Sequence, residues 1–307
     1  MKLPFSKYHG TGNDFILVDN REGKIHLTRD QVILLCDRHF GIGSDGLMTL
    51  NAQPGYDFGM SYFNSDGNES TMCGNGGRCL TAFAKACGLI NTQARFLAID
   101  GEHIADILQE KGTVTQVKLK MSDVTSSQIS SPTSQVSQLT SHVSQLTSHV
   151  PRLTSHVINT GSPHFVLFVE DAFATDVVNE GRKIRNDREF APEGINVDFV
   201  QIRENGDLYV RTYERGVEDE TLSCGTGVTA AALAYASGQA EAQHAAPGSG
   251  QVEARHAASG SGPAATSIRV ETRGGILTVS FRREPDRFTD IWLEGPAKLV
   301  FSGVAEV

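Results

Sequence analysis

CGNG at residues 73–76 decides the fold, because the chain repeats this stretch as CGTG at residues 224–227. Each copy follows an acidic and polar turn and leads directly into an alanine-rich apolar segment. The two cysteines are 151 residues apart, and the same offset aligns Tyr62 with Tyr213. The chain therefore contains two copies of one unit, and each copy presents a thiol at the start of a predicted helix.

The start of a helix is a special environment for a thiol. The first turn leaves backbone N–H groups unpaired, and the aligned peptide dipoles place about half a positive charge there. A carboxylate binds to such a helix end without a cationic side chain. A cysteine there is expected to ionise more easily, with a pKa below its usual value of about 8.5. Each copy thus predicts a carboxylate cradle beside a candidate base, and two such thiols are what a racemase or epimerase needs.

The bulk composition argues against several functional classes. The chain has 307 residues, enough for one large or two medium domains, and its net charge of −9 argues against binding to nucleic acid. The sequence contains no apolar run of membrane-spanning length and no signal-peptide core. Five cysteines, an odd number, do not suit a secreted disulfide framework. We therefore expect a cytoplasmic protein that does not bind a membrane.

The chain is predicted to contain two related halves and two inserted repeats. We predict a first half over residues 1–122, completed by a C-terminal strand at about 290–307, and a second half over residues 157–289. Residues 123–156 are interpreted as a linker, and residues 239–266 as a disordered insert in the second half. The segments that follow the two cysteines carry little charge, which predicts helices buried on all sides.

Both inserts are short tandem repeats. Residues 134–157 read SQVSQLT, SHVSQLT, SHVPRLT and SHV, with the apolar spacing of a coiled coil but a composition that opposes a helix. Residues 239–262 contain QAEAQHAAPGSG and QVEARHAASGSG, whose glycine, serine and proline predict disorder. The histidines in these repeats are interpreted as copies of the repeat unit rather than as metal ligands: His142, His149, His156, His244 and His256.

Five stretches of the chain resemble the diaminopimelate epimerase family. They are HGTGNDFILVDN (9–20), YFNSDGNESTMCGNGGRCL (62–80), GSPHFV (161–166), GINVDFV (194–200) and YERGVEDETLSCGTG (213–227). The resemblance covers essentially the whole chain outside the repeats. It implies an α+β fold of two pseudo-symmetric domains, each a mixed sheet curled around a central buried helix.

The same resemblance implies a function. Members of this family are isomerases that interconvert LL- and meso-2,6-diaminopimelate by a two-base thiol/thiolate mechanism, in lysine and peptidoglycan-precursor biosynthesis. The resemblance implies no pyridoxal or other cofactor and no metal, and the small-molecule substrate is diaminopimelate. It is compatible with a homodimer, an assembly that the sequence itself does not determine.

Roles can be carried over to the residues that match the family's motifs. Cys73 and Cys224 match the catalytic acid and base, and His164 and Glu214 match the groups that tune the thiols. The residues that match backbone donors to the reacting carboxylate are Gly74, Asn75, Gly76, Gly225 and Thr226. The residues that match the other substrate contacts are Asn13, Asn64, Ser162, Asn196, Glu214 and Arg215.

The remote end of diaminopimelate carries its own ammonium and carboxylate groups. Glu214 and Arg215 supply both signs of charge, and the offset of 151 matches them to Phe63 and Asn64 of the first copy. An arginine can also bind a carboxylate through two parallel hydrogen bonds. These two residues are therefore predicted to hold the remote end of the substrate.

Two positions depart from the family's pattern. Gly46 stands where a glutamine often contacts the ligand, and Ser162 stands where an asparagine is common. A serine can donate and accept a hydrogen bond, whereas Gly46 offers only its backbone.

The remaining cysteines and several aspartates are interpreted as structural. Cys36, Cys79 and Cys87 lie on predicted helices, where a buried thiol behaves as a small hydrophobic group. The aspartates of glycine-containing turns are expected to bond the local backbone: Asp14, Asp45 and Asp66.

Three other functions compete with epimerisation of diaminopimelate. A proline racemase-like enzyme would also use two thiols, but its ring substrate has no remote charges for Glu214 and Arg215. A thiol–disulfide or peroxide sensor would have no use for the carboxylate cradles. A pure binding module would place the function in the repeats.

Overall fold

In the computed structural model, which describes residues 1–131, 155–245 and 265–307, the chain divides into two units. The first unit contains Met1–Lys120 and Glu294–Val307, and the second contains Met121–Leu293. The strands and helices of the first unit, in chain order, are β1 (Lys2–Gly10), β2 (Asn13–Asn20), α1 (Arg29–Cys36), β3 (Gly46–Asn51), β4 (Phe58–Asn64), β5 (Glu69–Ser70), α2 (Gly74–Ala86), β6 (Gln93–Ala98), β7 (Gly101–Lys111) and β8 (Val114–Lys120).

The second unit contains the remaining elements, and the last strand continues from it into the first unit. These elements are β9 (Val124–Thr125), β10 (Ile129–Ser130), β11 (Ser155–Asn159), β12 (Pro163–Phe168), α3 (Val177–Arg185), β13 (Asn196–Ile202), β14 (Leu208–Glu214), β15 (Asp219–Thr221), α4 (Gly225–Ala245), β16 (Thr266–Thr272), β17 (Gly275–Arg283) and β18 (Arg287–Glu306). The described ends of the segment interpreted as a linker thus carry the short strands β9 and β10 and the start of β11.

The sheet of the first unit is mixed and closes on itself. Strand β2 pairs in parallel with β3, and β4 pairs in parallel with β6. The other neighbours are antiparallel, and the order β18, β1, β2, β3, β4, β6, β7, β8 returns to β18 through its pairing with β8. Alternate side chains of such a closed sheet point inward, so the ring needs a central element to fill it.

Helix α2 is that central element. Every residue from Gly74 to Ala84 is buried, and the helix contacts β1, β2, β3, β7 and β8. The low charge of this segment is explained by its burial, since a buried charge is costly unless it is hydrogen-bonded.

The second unit repeats this arrangement. Strand β12 pairs in parallel with β13, β14 pairs in parallel with β16, and β11 and β12 are antiparallel. Helix α4 contacts β11, β12, β13, β14, β16 and β17. The predicted fold, two halves each with a mixed sheet around a central buried helix, is confirmed.

Two helix bounds differ from the sequence-based expectations. The pattern predicts α1 up to His39, but the helix ends at Cys36, because Asp37 turns the chain by accepting hydrogen bonds from the N–H groups of His39 and Phe40. The composition predicts disorder from residue 239, yet α4 continues to Ala245. That extension, QAEAQHA, is rich in alanine and glutamine, both good helix formers.

The repeats lie mostly outside the described residues. Only residues 155–157 of the seven-residue repeat and 239–245 of the twelve-residue repeat are described. His156 lies in β11 and meets the ring of Phe168 edge-on at 6.3 Å, as a core side chain would. The predictions for the other four repeat histidines concern residues or side chains outside the described ones: His142, His149, His244 and His256.

Candidate active site

Cys73 lies at the start of α2, in the N-cap position. Its backbone is extended, with φ −96° and ψ 133°, and its carbonyl accepts a 2.7 Å hydrogen bond from the N–H of Gly77. The side chain does not cap the helix; instead, its Sγ lies 3.5 Å from Oδ1 of Asn13. The thiol therefore stands beside the first-turn N–H groups without occupying them.

Asp45 determines which end of the Asn13 amide faces this thiol. The Nδ2 of Asn13 donates to the Asp45 carboxylate at 2.6 Å, and a carboxylate only accepts hydrogen bonds. Oδ1 of Asn13 is therefore the atom that faces Cys73, and it also accepts from Nδ2 of Asn75 at 3.4 Å. The amide oxygen is thus placed to accept the Cys73 S–H.

Arg78 donates hydrogen bonds to the first turn of α2 from within the core. This fully buried guanidinium donates to the carbonyl of Gly74 at 3.1 Å and to Oδ1 of Asn75 at 2.8 Å. Burial lowers its pKa from 12.5 to about 10. Sequence reasoning gave Arg78 no role. Its charge, near the start of an otherwise nearly apolar helix, was the available signal.

Cys224 occupies the corresponding place in the second unit. It immediately precedes α4, and its carbonyl accepts a 2.9 Å hydrogen bond from the N–H of Val228. The side chain is nearly buried, and its Sγ lies 3.4 Å from Oγ1 of Thr226.

The expected fall in thiol pKa is wrong for Cys224. Burial raises its pKa well above 9.0, and the carboxylates of Glu214 and Asp198 raise it further. The Thr226 hydroxyl and the Gly227 N–H lower it without reversing the shift. The helix start does favour the thiolate, but desolvation and two nearby negative charges outweigh it.

A chain of side chains leads away from this thiol into the core. Nε2 of His164 lies 2.9 Å from Oγ1 of Thr226, and its Nδ1 lies 2.7 Å from Oδ2 of Asp198. Oδ1 of Asp198 accepts from the hydroxyl of Thr212 at 2.6 Å. His164 and Asp198 have no exposed side-chain surface. Sequence reasoning identified His164 but missed Asp198, although a carboxylate inside the apolar run NVDFV was a visible signal.

Asn196 links two other predicted substrate contacts, Ser162 and Arg215. Its Oδ1 accepts from the backbone N–H of Arg215 at 2.8 Å, and its Nδ2 donates to Oγ of Ser162 at 2.8 Å and to the carbonyl of Pro163 at 3.0 Å. The orientation of this amide is therefore determined by its surroundings.

Asn64 and Glu214 are equivalent positions in the two units. Each is the last residue of its strand, and the first residues of those strands, Phe58 and Leu208, pair in the same way with a following parallel strand. The offset in these strands is therefore 150 and not 151, which corrects the match of Tyr62 with Tyr213.

One additional residue in the turn after β14 restores the offset of 151 at the helices. Phe63 is opposite Glu69 on β5, whereas Tyr213 is opposite Glu220 on β15. The carboxylate of Glu214 accepts from the Thr221 hydroxyl at 2.8 Å, a contact made across this longer turn.

The structure leaves no room for a side chain at Gly46. A Cβ added there would lie 2.5 Å from Cε2 of Tyr62 and 2.6 Å from the carbonyl oxygen of Phe63. Tyr62 therefore fills the space into which a residue with a side chain at position 46 would project.

The aspartates interpreted as turn-formers divide into two kinds. Asp66 accepts from the backbone N–H and the side chain of Asn68, as expected for a local turn. Asp14 instead pairs with Lys7 and Arg38, each at 2.8 Å, and the Arg38 guanidinium also reaches Asp45 at 2.7 Å. These two carboxylates belong to an ion-pair cluster behind Asn13.

Metal-binding clusters and membrane-spanning helices are absent from the described residues. No group of three or more histidine, cysteine, aspartate or glutamate side chains in residues 1–131, 155–245 and 265–307 is placed to hold a metal ion. No helix within the same ranges is long and apolar enough to cross a membrane.

A family profile described as diaminopimelate epimerase matches residues 5–125 and 156–300. The chain belongs to the diaminopimelate epimerase family. Diaminopimelate epimerase of Flavobacterium psychrophilum is 41% identical to it over 298 residues, covering 96% of this chain and 97% of the relative. The interruption of the profile match falls on the seven-residue repeat, so the family's features lie in the two units.

Solved structures show the same fold at low sequence identity. A PhzF-family phenazine biosynthesis protein of Bacillus anthracis aligns with a TM-score of 0.72 and 15% identity, covering 100% of both chains. A hydroxyproline epimerase of Agrobacterium vitis aligns with a TM-score of 0.64 and 14% identity, covering 99% of this chain and 92% of that one. These likenesses concern the fold alone.

Proposed function

We propose that this chain interconverts LL- and meso-2,6-diaminopimelate, with Cys73 and Cys224 as the two bases. The observation that carries the proposal is that each unit of a member of this family places a cysteine at the start of a buried central helix. The reaction inverts one carbon, so a base must remove the α-proton from one face and an acid must supply a proton to the other.

The helix starts are suited to the reacting carboxylate. The first-turn N–H groups after Cys73 belong to Gly74, Asn75 and Gly76, and those after Cys224 begin with Gly225 and Thr226. Removal of an α-proton places negative charge on the adjacent carboxylate, and preorganised backbone donors stabilise that charge. This scheme needs no cofactor, and we expect none.

The surroundings of the two thiols suit proton exchange. Asn13 offers an amide oxygen to the Cys73 S–H, and Cys224 retains its proton because burial raises its pKa. In one direction a thiolate takes the α-proton while the opposite thiol gives up its own, and the roles exchange in the reverse reaction.

The ordered contacts around Asn196 support recognition of the remote end of the substrate. Asn196 binds the backbone of Arg215 and leaves the Arg215 guanidinium outside that hydrogen bond. We propose that Arg215 binds the remote carboxylate and Glu214 the remote ammonium. Arg215→Ala should lower kcat/KM by about tenfold or more, since charge-assisted bonds contribute about 1.5 to 3 kcal/mol each. Arg282→Ala, at an exposed ion pair with Asp290, is the control.

The alternatives account for less of the site. A redox sensor needs two reactive thiols, but it does not explain why each cysteine starts a buried helix beside a hydrogen-bonding side chain. A proline racemase-like reaction gives no role to Glu214 and Arg215. The fold is shared by several families, so the residues of the site decide between them.

The proposal also includes a reducing compartment and a dimer. All five cysteines are free, which suits the reducing cytoplasm that the mechanism requires. Analytical ultracentrifugation over a range of concentrations tests the homodimer.

Incubation of the purified protein with LL-diaminopimelate in deuterated water tests the function. Chiral chromatography should show the meso form, and mass spectrometry should find solvent deuterium in product from the first turnover while unreacted substrate stays protonated. Cys73→Ala and Cys224→Ala should each abolish epimerisation, because one face then lacks its acid or base.

Cys87→Ala is the matched control, because this thiol lies at the opposite end of α2 from Cys73. Its variant should keep wild-type turnover. Full activity in either active-site alanine variant, or transfer of substrate hydrogen into product as the main route, would show that the two-base assignment is wrong.

A further inference from the structure

The chain of contacts behind Cys224 has a defined direction. A carboxylate only accepts hydrogen bonds, so the Nδ1 that faces Asp198 at 2.7 Å must carry a proton. In a neutral imidazole the other nitrogen is then an acceptor. Nε2 of His164 can therefore accept from the Thr226 hydroxyl at 2.9 Å, and the oxygen of Thr226 can accept from the Cys224 thiol at 3.4 Å.

The layer formed by His164, Asp198 and Thr212 corresponds in the first unit to two apolar side chains and a tyrosine. Phe15 pairs in parallel with the first residue of β3, as His164 pairs with the first residue of β13. Two residues along those strands, Met48 lies opposite Tyr62, and Asp198 lies opposite Thr212. Cys73 therefore has Phe15, Met48 and Tyr62 where Cys224 has His164, Asp198 and Thr212.

The helix glycines confirm that the two layers correspond. A Cβ added at Gly76 would meet Met48 and Phe15, and a Cβ added at Gly227 would lie 2.4 Å from Oδ1 of Asp198 and 3.2 Å from Cε1 of His164. Each layer lies directly against the second helical glycine after its cysteine. Only the second unit uses this place for a charged group.

We propose that Asp198 is a positioning residue that holds His164 in the tautomer able to receive the Cys224 proton. The thiol proton passes to the oxygen of Thr226, and the hydroxyl proton of Thr226 passes to Nε2 of His164. The products of this transfer are a thiolate and an imidazolium, and Asp198 remains a carboxylate beside the new positive charge. The proposal rests on the proposed function of Cys224 as one of the two bases.

The surroundings of Cys224 explain why such an acceptor is required. The thiol is nearly buried and lies close to the carboxylates of Glu214 and Asp198, so loss of its proton to water would leave a poorly solvated negative charge among others of the same sign. Transfer to His164 keeps the proton inside the site and leaves a compensating cation nearby. A buried carboxylate stabilises a catalytic imidazolium in the same way in serine hydrolases.

Asp198→Asn tests the tautomer directly. The Thr212 hydroxyl donates to Oδ1 of Asp198, so the amide oxygen of asparagine should take that place and its NH₂ group should face His164. His164 would then carry its proton on Nε2. Nitrogen-15 NMR of the wild type should show His164 with a protonated Nδ1 and an unprotonated Nε2, assigned by comparison with His164→Gln, and D198N should show the reverse.

Thr212→Val is the matched control, because it removes the other partner of Asp198 but retains the carboxylate. Its His164 should keep the wild-type tautomer. A wild-type His164 protonated only on Nε2, or a D198N spectrum with an unchanged tautomer, would overturn the proposal. The wild-type measurement alone decides the matter if D198N does not fold.

Alkylation of Cys224 tests whether this tautomer of His164 affects the reactivity of the thiol. Asp198 also raises the pKa of Cys224 through its charge, so the effect of D198N is measured with iodoacetamide and peptide mass mapping both in the wild type and in His164→Gln. In His164→Gln only the charge is lost, and modification of Cys224 should accelerate. In the wild type the acceptor is lost as well, and the acceleration by D198N should be smaller by about tenfold, the effect of about one unit in pKa. An equal effect of D198N in the two backgrounds would contradict the proposal. Neither readout requires diaminopimelate turnover, so a failure of the proposed function would appear separately.

Discussion

Oδ2 of Asp198 lies 2.7 Å from Nδ1 of His164, and neither side chain has any exposed surface. A buried carboxylate is costly unless its oxygens are hydrogen-bonded, and both oxygens of Asp198 have a partner. The equivalent positions of the first unit hold Met48 and Phe15. The two halves thus share a backbone arrangement but differ in polarity beneath their cysteines.

Glu214→Gln should make Cys224 more reactive and the enzyme less active. Burial is the first cause of the raised pKa of Cys224, and the Glu214 carboxylate is the next, so neutralising Glu214 lowers that pKa. Alkylation of Cys224 near neutral pH should accelerate about threefold to tenfold, since one pKa unit corresponds to about tenfold in thiolate fraction. Turnover of diaminopimelate should fall, because the remote ammonium loses its counter-charge.

Glu204→Gln is the control for this change, because Glu204 is an exposed carboxylate of the same unit. Glu204→Gln should change neither the rate of Cys224 alkylation nor the turnover of diaminopimelate. An unchanged or slower alkylation of Cys224 in Glu214→Gln would show that this carboxylate does not act on the thiol.

Asp14→Asn should remove stability at neutral pH but not in acid. Burial pushes the pKa of Asp14 up, but hydrogen bonds from Arg38 and Lys7 outweigh it and lower the pKa from 3.8 to about 2. A carboxyl with a lowered folded-state pKa stabilises the fold above its unfolded value, and this contribution is lost as the pH falls from about 4 to about 2. The variant should lose about 1.5 to 3 kcal/mol at pH 7, the value of a charge-assisted hydrogen bond.

Urea denaturation at several pH values measures this difference. The gap between wild type and Asp14→Asn should close as the pH approaches 2. Asp30→Asn, at an exposed position in the first turn of α1, should show no such gap. A constant difference at all pH values would contradict the assigned role of the charge.

Local patterns predicted much of the fold. The glycines after each cysteine and the nearly uncharged segments that follow them predict two buried helices, from Asn75 and from Gly227, and α2 and α4 begin at Gly74 and Gly225. Thr28, a residue type preferred at the N-cap, predicts the start of α1, and it forms a capping box there with Gln31. These signals come from residues that are close together in the sequence, so they do not depend on how distant strands pair.

Features that depend on register were not predictable. A single additional residue in the turn after β14 shifts the strand equivalences from 151 to 150, and a gap-free sequence offset does not reveal it. Asp198 was missed for a related reason: its partners, His164 and Thr212, lie on neighbouring strands and 34 and 14 residues away along the chain. Only the pairing of β12, β13 and β14 brings the three side chains together.

Gly46→Gln introduces the residue that the family's pattern implies at this position, and it should nevertheless destabilise the protein. A Cβ at this position would lie 2.5 Å from Cε2 of Tyr62 and 2.6 Å from the carbonyl of Phe63. Overpacking of this kind costs about 1 to 3 kcal/mol. Thermal unfolding should therefore show a lower Tm, and the double variant with Tyr62→Ile should recover only part of it, because the Phe63 carbonyl stays in place. A wild-type Tm in the single variant would show that the strands adjust freely.

The last prediction compares the two helix glycines, Gly76 and Gly227. A Cβ at Gly76 would lie 1.9 Å from Cε of Met48, the end of a flexible side chain that can move. A Cβ at Gly227 would lie 2.4 Å from Oδ1 of Asp198, whose position is determined by hydrogen bonds to His164 and Thr212. Alanine favours a helix over glycine by about 1 kcal/mol, and this gain is the same at both sites. Gly76→Ala should therefore change the free energy of unfolding by less than about 1 kcal/mol, whereas Gly227→Ala should cost about 2 kcal/mol or more by displacing a buried hydrogen-bonded charge.

Urea denaturation of the two variants measures both values. Adding Asp198→Asn to Gly227→Ala should give less than the sum of the two single losses, because both changes disturb the same contact. Equal losses at the two glycines would mean that the polar layer beneath Cys224 is no more rigid than the corresponding layer beneath Cys73.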